Sequence, residues 1–160
     1  MRLAFCLAAA MLSIDMAASA QKPPSKEPAD SRACSVLTKE DAAAALGEAV
    51  KGPQASAMAE GPSSCEYSGS GIHSVNLNLI PLNAANAAMY KMMCAQKSKE
   101  GLTGLGDTTC WYNAKHGELQ VLKGTTFFSI ELRRSGDPTE PIKAVARKVY
   151  DRLKERRERP

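Results

Sequence analysis

Two short stretches constrain this chain more than any other: SSCEY at 63–67 and TTCWY at 108–112. Each is a pair of hydroxyl residues, then Cys, one residue and Tyr. Each leads through a polar turn holding a histidine into alternating apolar residues. Cys65 and Cys110 share residues 34–110 with Cys34 and Cys94, so four thiols must be placed in one small fold. An even set in an exported protein points to two disulfides, with three possible connectivities. The pairing Cys34–Cys65 with Cys94–Cys110 joins the edge of a predicted helix to a Cys-x-Tyr strand each time. In the chain-entropy view each crosslink contributes on the order of 3 kcal/mol.

Export is read from the first twenty residues, MRLAFCLAAAMLSIDMAASA. Arg2, an apolar run from Leu3 to Ile14 and the small-x-small Ala18-Ser19-Ala20 form a secretory signal pattern, with cleavage after Ala20. The run is too short for a membrane span. Asp15 is an irregularity in it. Cys6 sits too early, with almost no apolar run before it, and Cys34 lies far past the cleavage site, so neither is placed for lipid attachment. The expectation is an exported protein, periplasmic or secreted, with no transmembrane segment in the mature chain. Residues 21–33, QKPPSKEPADSRA, are rich in Pro, Ser and charge and read as a flexible linker. One disulfide-stapled domain is expected over 34–157.

Within it, Thr38 and Asp41 form a capping pair before a helix that stops at Gly47. A weakly signalled strand falls within 50–60. Val75, Leu77 and Leu79 alternate with polar residues, marking a half-buried strand over 73–81 that a Gly-Ser-Gly turn joins to 65–68. Asn83 caps a helix over 84–97. Its stripe of Ala84, Ala88, Met92 and Ala95, with Ala85, Met89 and Met93 beside it, reads as core rather than as an adaptable binding surface. Strands follow at 108–114, 118–123 and 125–133, where Phe128, Ile130 and Leu132 share a face. Trp111 and Phe127 fit either a core or an exposed apolar contact. A last helix over 139–157 carries Ile142, Val145, Ala146, Val149, Tyr150 and Leu153 at helical spacing. The expected fold is α+β: an antiparallel sheet with helices mainly on one face. It would comprise two helix-plus-three-strand units and a C-terminal helix, with the Cys-x-Tyr echoes marking the repeat.

CSVLTKEDAAAALGEAV (34–50), SSCEYSG (63–69) and GLGDTTCWY (104–112) together resemble a family of exported bacterial domains of unknown function, many of them lipoproteins in actinobacteria. That family shows a Cys before a Leu-Thr-x-Glu helix ending in Ala-Leu-Gly, a Cys-x-Tyr or Cys-x-Trp strand and a Gly-Leu-Gly-Asp turn. The resemblance implies the Cys34–Cys65 pair, export and a non-enzymatic role, and it transfers no catalytic residue. This chain departs from the pattern in lacking the lipid-attachment cysteine.

Chemistry is sparsely signalled. No Gly-x-Ser-x-Gly elbow, Cys-x-x-Cys or phosphate-binding glycine loop is present. A zinc set of Cys65, His73, Cys110 and His116 has spacings of Cys-x7-His and Cys-x5-His, unlike a zinc knuckle. No metal or cofactor is therefore expected. Glu40 and Asp41 suit a helix first turn, and Asp107 suits a turn. From Lys143 to Pro160 there are eight basic and three acidic residues. This reads as a solvated helix face, with polyanion binding through Arg152, Arg156, Arg157 and Arg159 as an alternative. Export and few aromatics disfavour nucleic acid. The chain thus reads as an exported, non-catalytic module that binds a protein or envelope component. The competing class is a small hydrolase or metal-dependent enzyme using His73 or His116. A thiol titration of the exported protein is expected to find no free thiol; a reactive pair would undo the disulfide reading.

Overall fold

The computed structural model describes residues 31–99, 102–113, 115 and 117–158, with side chains through 156. Residues 1–20, expected as a signal peptide, residues 21–30 of the expected linker and His116 lie outside the described residues. The chain runs α1 (Lys39–Leu46), β1 (Lys51–Ala57), β2 (Ser63–Ser68), β3 (Ser74–Pro81), α2 (Ala84–Ala95), β4 (Thr108–Trp111), β5 (Glu118–Lys123), β6 (Thr126–Arg133) and α3 (Thr139–Glu158). The six strands form one antiparallel sheet in the order β1-β2-β3-β6-β5-β4. Helix-plus-three-strands thus occurs twice before the final helix, as the sequence pattern predicts.

Alternation decides the two faces of the sheet. Val75, Leu77 and Leu79 on β3 stand beside Leu132, Ile130 and Phe128 on β6, and all six are buried. Cys65, Tyr67, Leu119, Val121 and Trp111 join the same core, so Trp111 is a core residue. On α3, the stripe Ile142, Val145, Ala146 and Val149 is buried in this core. Each of its larger aliphatic side chains contributes about 1.5–3 kcal/mol by leaving water. α1 packs beside α3 and presents Ala42, Ala45 and Leu46.

The local signals explain the element ends. The Asp41 amide donates to Thr38 Oγ1 at 3.2 Å, and the Thr38 amide donates back to Asp41 Oδ2 at 3.3 Å. Gly47, at φ 74°, closes α1. β1 is formed from residues with poor strand preference because it is an edge strand, where Pro53 forfeits no ladder bond that a neighbour requires. Gly52 is obligatory there: at φ 116°, an added Cβ would meet the Glu66 carbonyl oxygen at 2.9 Å.

Several boundaries move. Among the described residues packing already includes Ser31 and Ala33, ahead of Cys34: Ala33 is buried and Ser31 Oγ donates to the Ser64 carbonyl at 3.0 Å. β4 stops at Trp111, since the Asn113 side chain accepts from the amides of Lys115 and Gly117 and turns the chain. Both expected disulfides are present, Cys34–Cys65 and Cys94–Cys110, with Cα separations of 4.9 and 5.7 Å. The echo, however, does not mark a repeat. Cys65 lies on the second strand of its unit and Cys110 on the first strand of the other. By ladder register their side chains also leave opposite faces of the sheet.

Asp41 ties the first helix to the last. It is buried, and it accepts from Lys148 Nζ at 3.0 Å, from Arg152 and from Thr38 Oγ1. Burial alone would raise its pKa, but the bonds from Arg152, Lys148 and Thr38 outweigh this and hold it at about 2, against an ordinary 3.8. Because the folded value is depressed, the stabilisation is full above pH 3.8 and is lost as pH falls through 2. Replacing Asp41 with Ala is expected to cost about 1–3 kcal/mol in urea unfolding at pH 7, by removing the α1 capping partner and leaving the half-buried Arg152 without its carboxylate. The wild-type advantage over this variant should shrink on acidification.

Candidate functional site

The residues singled out in the sequence separate in space. Cys65 and Cys110 are each bonded within a disulfide and lie on opposite faces of the sheet, so they cannot share a metal ion with His73. Among the described residues no group of three His, Cys, Asp or Glu could hold one. Arg152 donates to the Val36 carbonyl at 2.7 Å and to Asp41; Arg156 donates to the Ser35 carbonyl at 3.2 Å. Both guanidinium groups therefore fasten α3 to the turn before α1. The Arg157 side chain and Arg159 lie outside the described residues.

His73 sits where the loop after α1, the β2–β3 turn and the loop after β6 converge. Its Nδ1 is 2.8 Å from Glu48 Oε1 and its Nε2 is 3.2 Å from Ser135 Oγ. Glu48 also accepts from the Ser70 amide at 3.0 Å and the Ser70 hydroxyl at 2.7 Å. The Ser70 hydroxyl, the Ser70 amide and His73 together hold Glu48 at about 2. In the tautomer whose Nδ1–H donates to Glu48, Nε2 carries the lone pair that accepts from the Ser135 hydroxyl.

The larger feature is α2, which lies on the sheet face opposite α1 and α3. Asn83 caps it by accepting from the Asn86 amide at 2.8 Å. Its inner stripe is Ala87, Tyr90 and Cys94. Tyr90 meets Phe127 edge-on with ring centroids 4.8 Å apart, and its hydroxyl donates to Gln120 Oε1 at 3.4 Å. Phe127 therefore serves this helix rather than the main core. Burial pushes the Tyr90 phenol up. Only Ala87 and Cys94 on the helix are buried, and Cys94 is bonded to Cys110 on β4.

The outer face of α2 is apolar as well. Met89, Met92 and Met93 are 52%, 65% and 52% exposed, and Ala85 and Ala88 lie exposed among them. The expectation that this stripe is core is thus overturned. Periodicity identifies residues that share a face, and here both faces are apolar. The usable signal was Cys94: once its sulfur points at β4, Met92, two residues away, is rotated by about 200° to the far side. A helix apolar all round is ordinarily covered on every side.

Charge frames this face. No acidic residue occurs from 67 to 99, while Lys91, Lys97 and Lys99 lie on or just beyond α2. Lys97 Nζ stands 4.1 Å from the ring centroid of Tyr112, a side chain that is 54% exposed. The uncovered half of the same sheet face is more mixed, with Ser56 Oγ and Ser64 Oγ 2.8 Å apart and Met58 and Ile80 lining a depression beside them. The larger cluster of exposed apolar side chains on this side is that of α2 and Tyr112.

No protein-family model, no curated protein and no solved structure matches the chain. Among the described residues no helix is long and apolar enough to cross a membrane.

With so few buried side chains, α2 depends on its crosslink. Replacing Cys94 and Cys110 together with Ala is expected to speed amide exchange throughout 84–95 while β3 and β6 stay protected. Uniform loss of protection across the sheet would show that α2 is integral to the core.

Proposed function

We propose that this chain is an exported binding module that performs no chemistry and docks its partner on the outer face of α2. The observation that supports this is the exposure of Met89, Met92 and Met93 on a helix whose inner face is already satisfied. Unbranched, polarisable methionine side chains repack against varied surfaces at low cost, which suits a docking face more than a solvent face. The resemblance to exported domains without established catalytic residues carries the same lean. A photo-reactive residue at position 92 is expected to crosslink in cells, whereas the same group at the exposed Asp151 on α3 gives none. Equal yields at the two positions would remove the assignment.

A second reading rests on the Glu48–His73–Ser135 chain of contacts. In it, Ser135 Oγ attacks an ester carbonyl carbon while His73 Nε2 takes the hydroxyl proton and passes it to the leaving alkoxide. Water then releases the acid from the serine. On this reading His73→Ala and Ser135→Ala each lower hydrolysis of an aryl acetate by on the order of a hundredfold or more. Unchanged hydrolysis by both variants discards it.

A further inference from the structure

We infer that the surface α2 meets is an anionic phospholipid layer, against which the helix lies flat. This rests on the reading of α2 as a docking face and names its occupant. Three observations favour lipid. The exposed apolar side chains Met89, Met92 and Met93 form a ridge raised on the sheet face. A ridge meets a flat, deformable surface well, whereas a partner helix is usually received in a groove.

Charge is the second observation. Lys91, Lys97 and Lys99 are the only charged residues from 83 to 99, and all three are cationic. Asp107, whose carboxylate feels Lys91, is already engaged by Lys123 Nζ at 2.8 Å and by the Gly124 amide at 2.6 Å. Glu118, whose carboxylate acts on Tyr90, also borders the helix, and Glu100 follows Lys99 in sequence. Three lysines against these two carboxylates leave a modest net positive charge around an apolar centre, which complements anionic headgroups over acyl chains. A second copy docking through its own α2 would set two such lysine groups against each other.

The third is Tyr112. Its exposed ring lies under the Lys97 ammonium, and Lys97 Nζ also donates to its backbone carbonyl at 3.5 Å. An amphipathic ring beside a lysine is the pairing that settles at headgroup depth.

The test uses the mature, disulfide-intact protein with vesicles of phosphatidylcholine alone or with about 30 mol% phosphatidylglycerol. Co-sedimentation is expected to rise about fivefold or more with the anionic lipid and to fall as salt increases. Met89→Gln with Met92→Gln, both at exposed positions, should abolish it while leaving the circular dichroism unchanged. Lys97→Glu with Lys99→Glu should do the same. Binding that survives the methionine changes overturns the proposal, because another surface then carries it. No sedimentation with anionic vesicles also overturns it. In that case a protein crosslinked at position 92 leaves α2 standing as a docking face for a different partner. Absence of both vesicle binding and crosslinking removes the docking face itself.

Discussion

The pairing of β3 with β6 is the interaction on which the rest of the fold depends. Eight register pairs, from Ser74–Arg133 to Pro81–Thr126, join strands that are about fifty residues apart in sequence. This ladder converts two three-stranded meanders into one sheet. On its inner face it sets Val75, Leu77 and Leu79 beside Leu132, Ile130 and Phe128, which is the surface α3 needs to bury its apolar stripe. Without the ladder each meander would present an unpaired edge, and neither would be wide enough to cover a twenty-residue helix.

The two faces of that sheet are treated differently. One carries α1 and α3, locked by the buried Asp41 with Lys148 and Arg152 and by the Cys34–Cys65 bond. Its polar contacts are internal, and Arg152 and Arg156 are engaged in them. The other face carries α2, held by one disulfide, the Tyr90–Phe127 contact and the Tyr90 hydroxyl bond to Gln120. The first face is thus covered by two interlocked helices, while the second leaves the apolar outer side of α2 exposed. The His73 junction belongs to neither layer. It links three loops through Glu48 and Ser135 at one end of the sheet.

Much of this was legible in advance. Thr38, Asp41 and Gly47 gave the limits of α1 because capping is local chemistry. Val75, Leu77 and Leu79 gave a half-buried strand because side chains alternate along it. The last helix was legible from Ile142 to Val149 because its charged face leaves one orientation open. The two disulfide pairs were legible from helix-edge cysteines facing Cys-x-Tyr strands. The echo of those strands was read too far: matching letters do not report which strand of a meander they occupy. The face of α2 was misread for a related reason, since both of its sides are apolar and periodicity alone cannot rank them.

The sequence by itself therefore determined the elements, their order, the class of fold and the favoured one of three disulfide connectivities. These follow from short-range rules of capping, alternation and cysteine placement. Only the tertiary structure decided that Met89, Met92 and Met93 face outward, that Arg152 and Arg156 reach across to the turn before α1, and that Glu48 and Ser135 meet His73. Each of those outcomes depends on which surfaces remain after β3 meets β6, and that meeting is a property of the folded sheet rather than of any local stretch of chain.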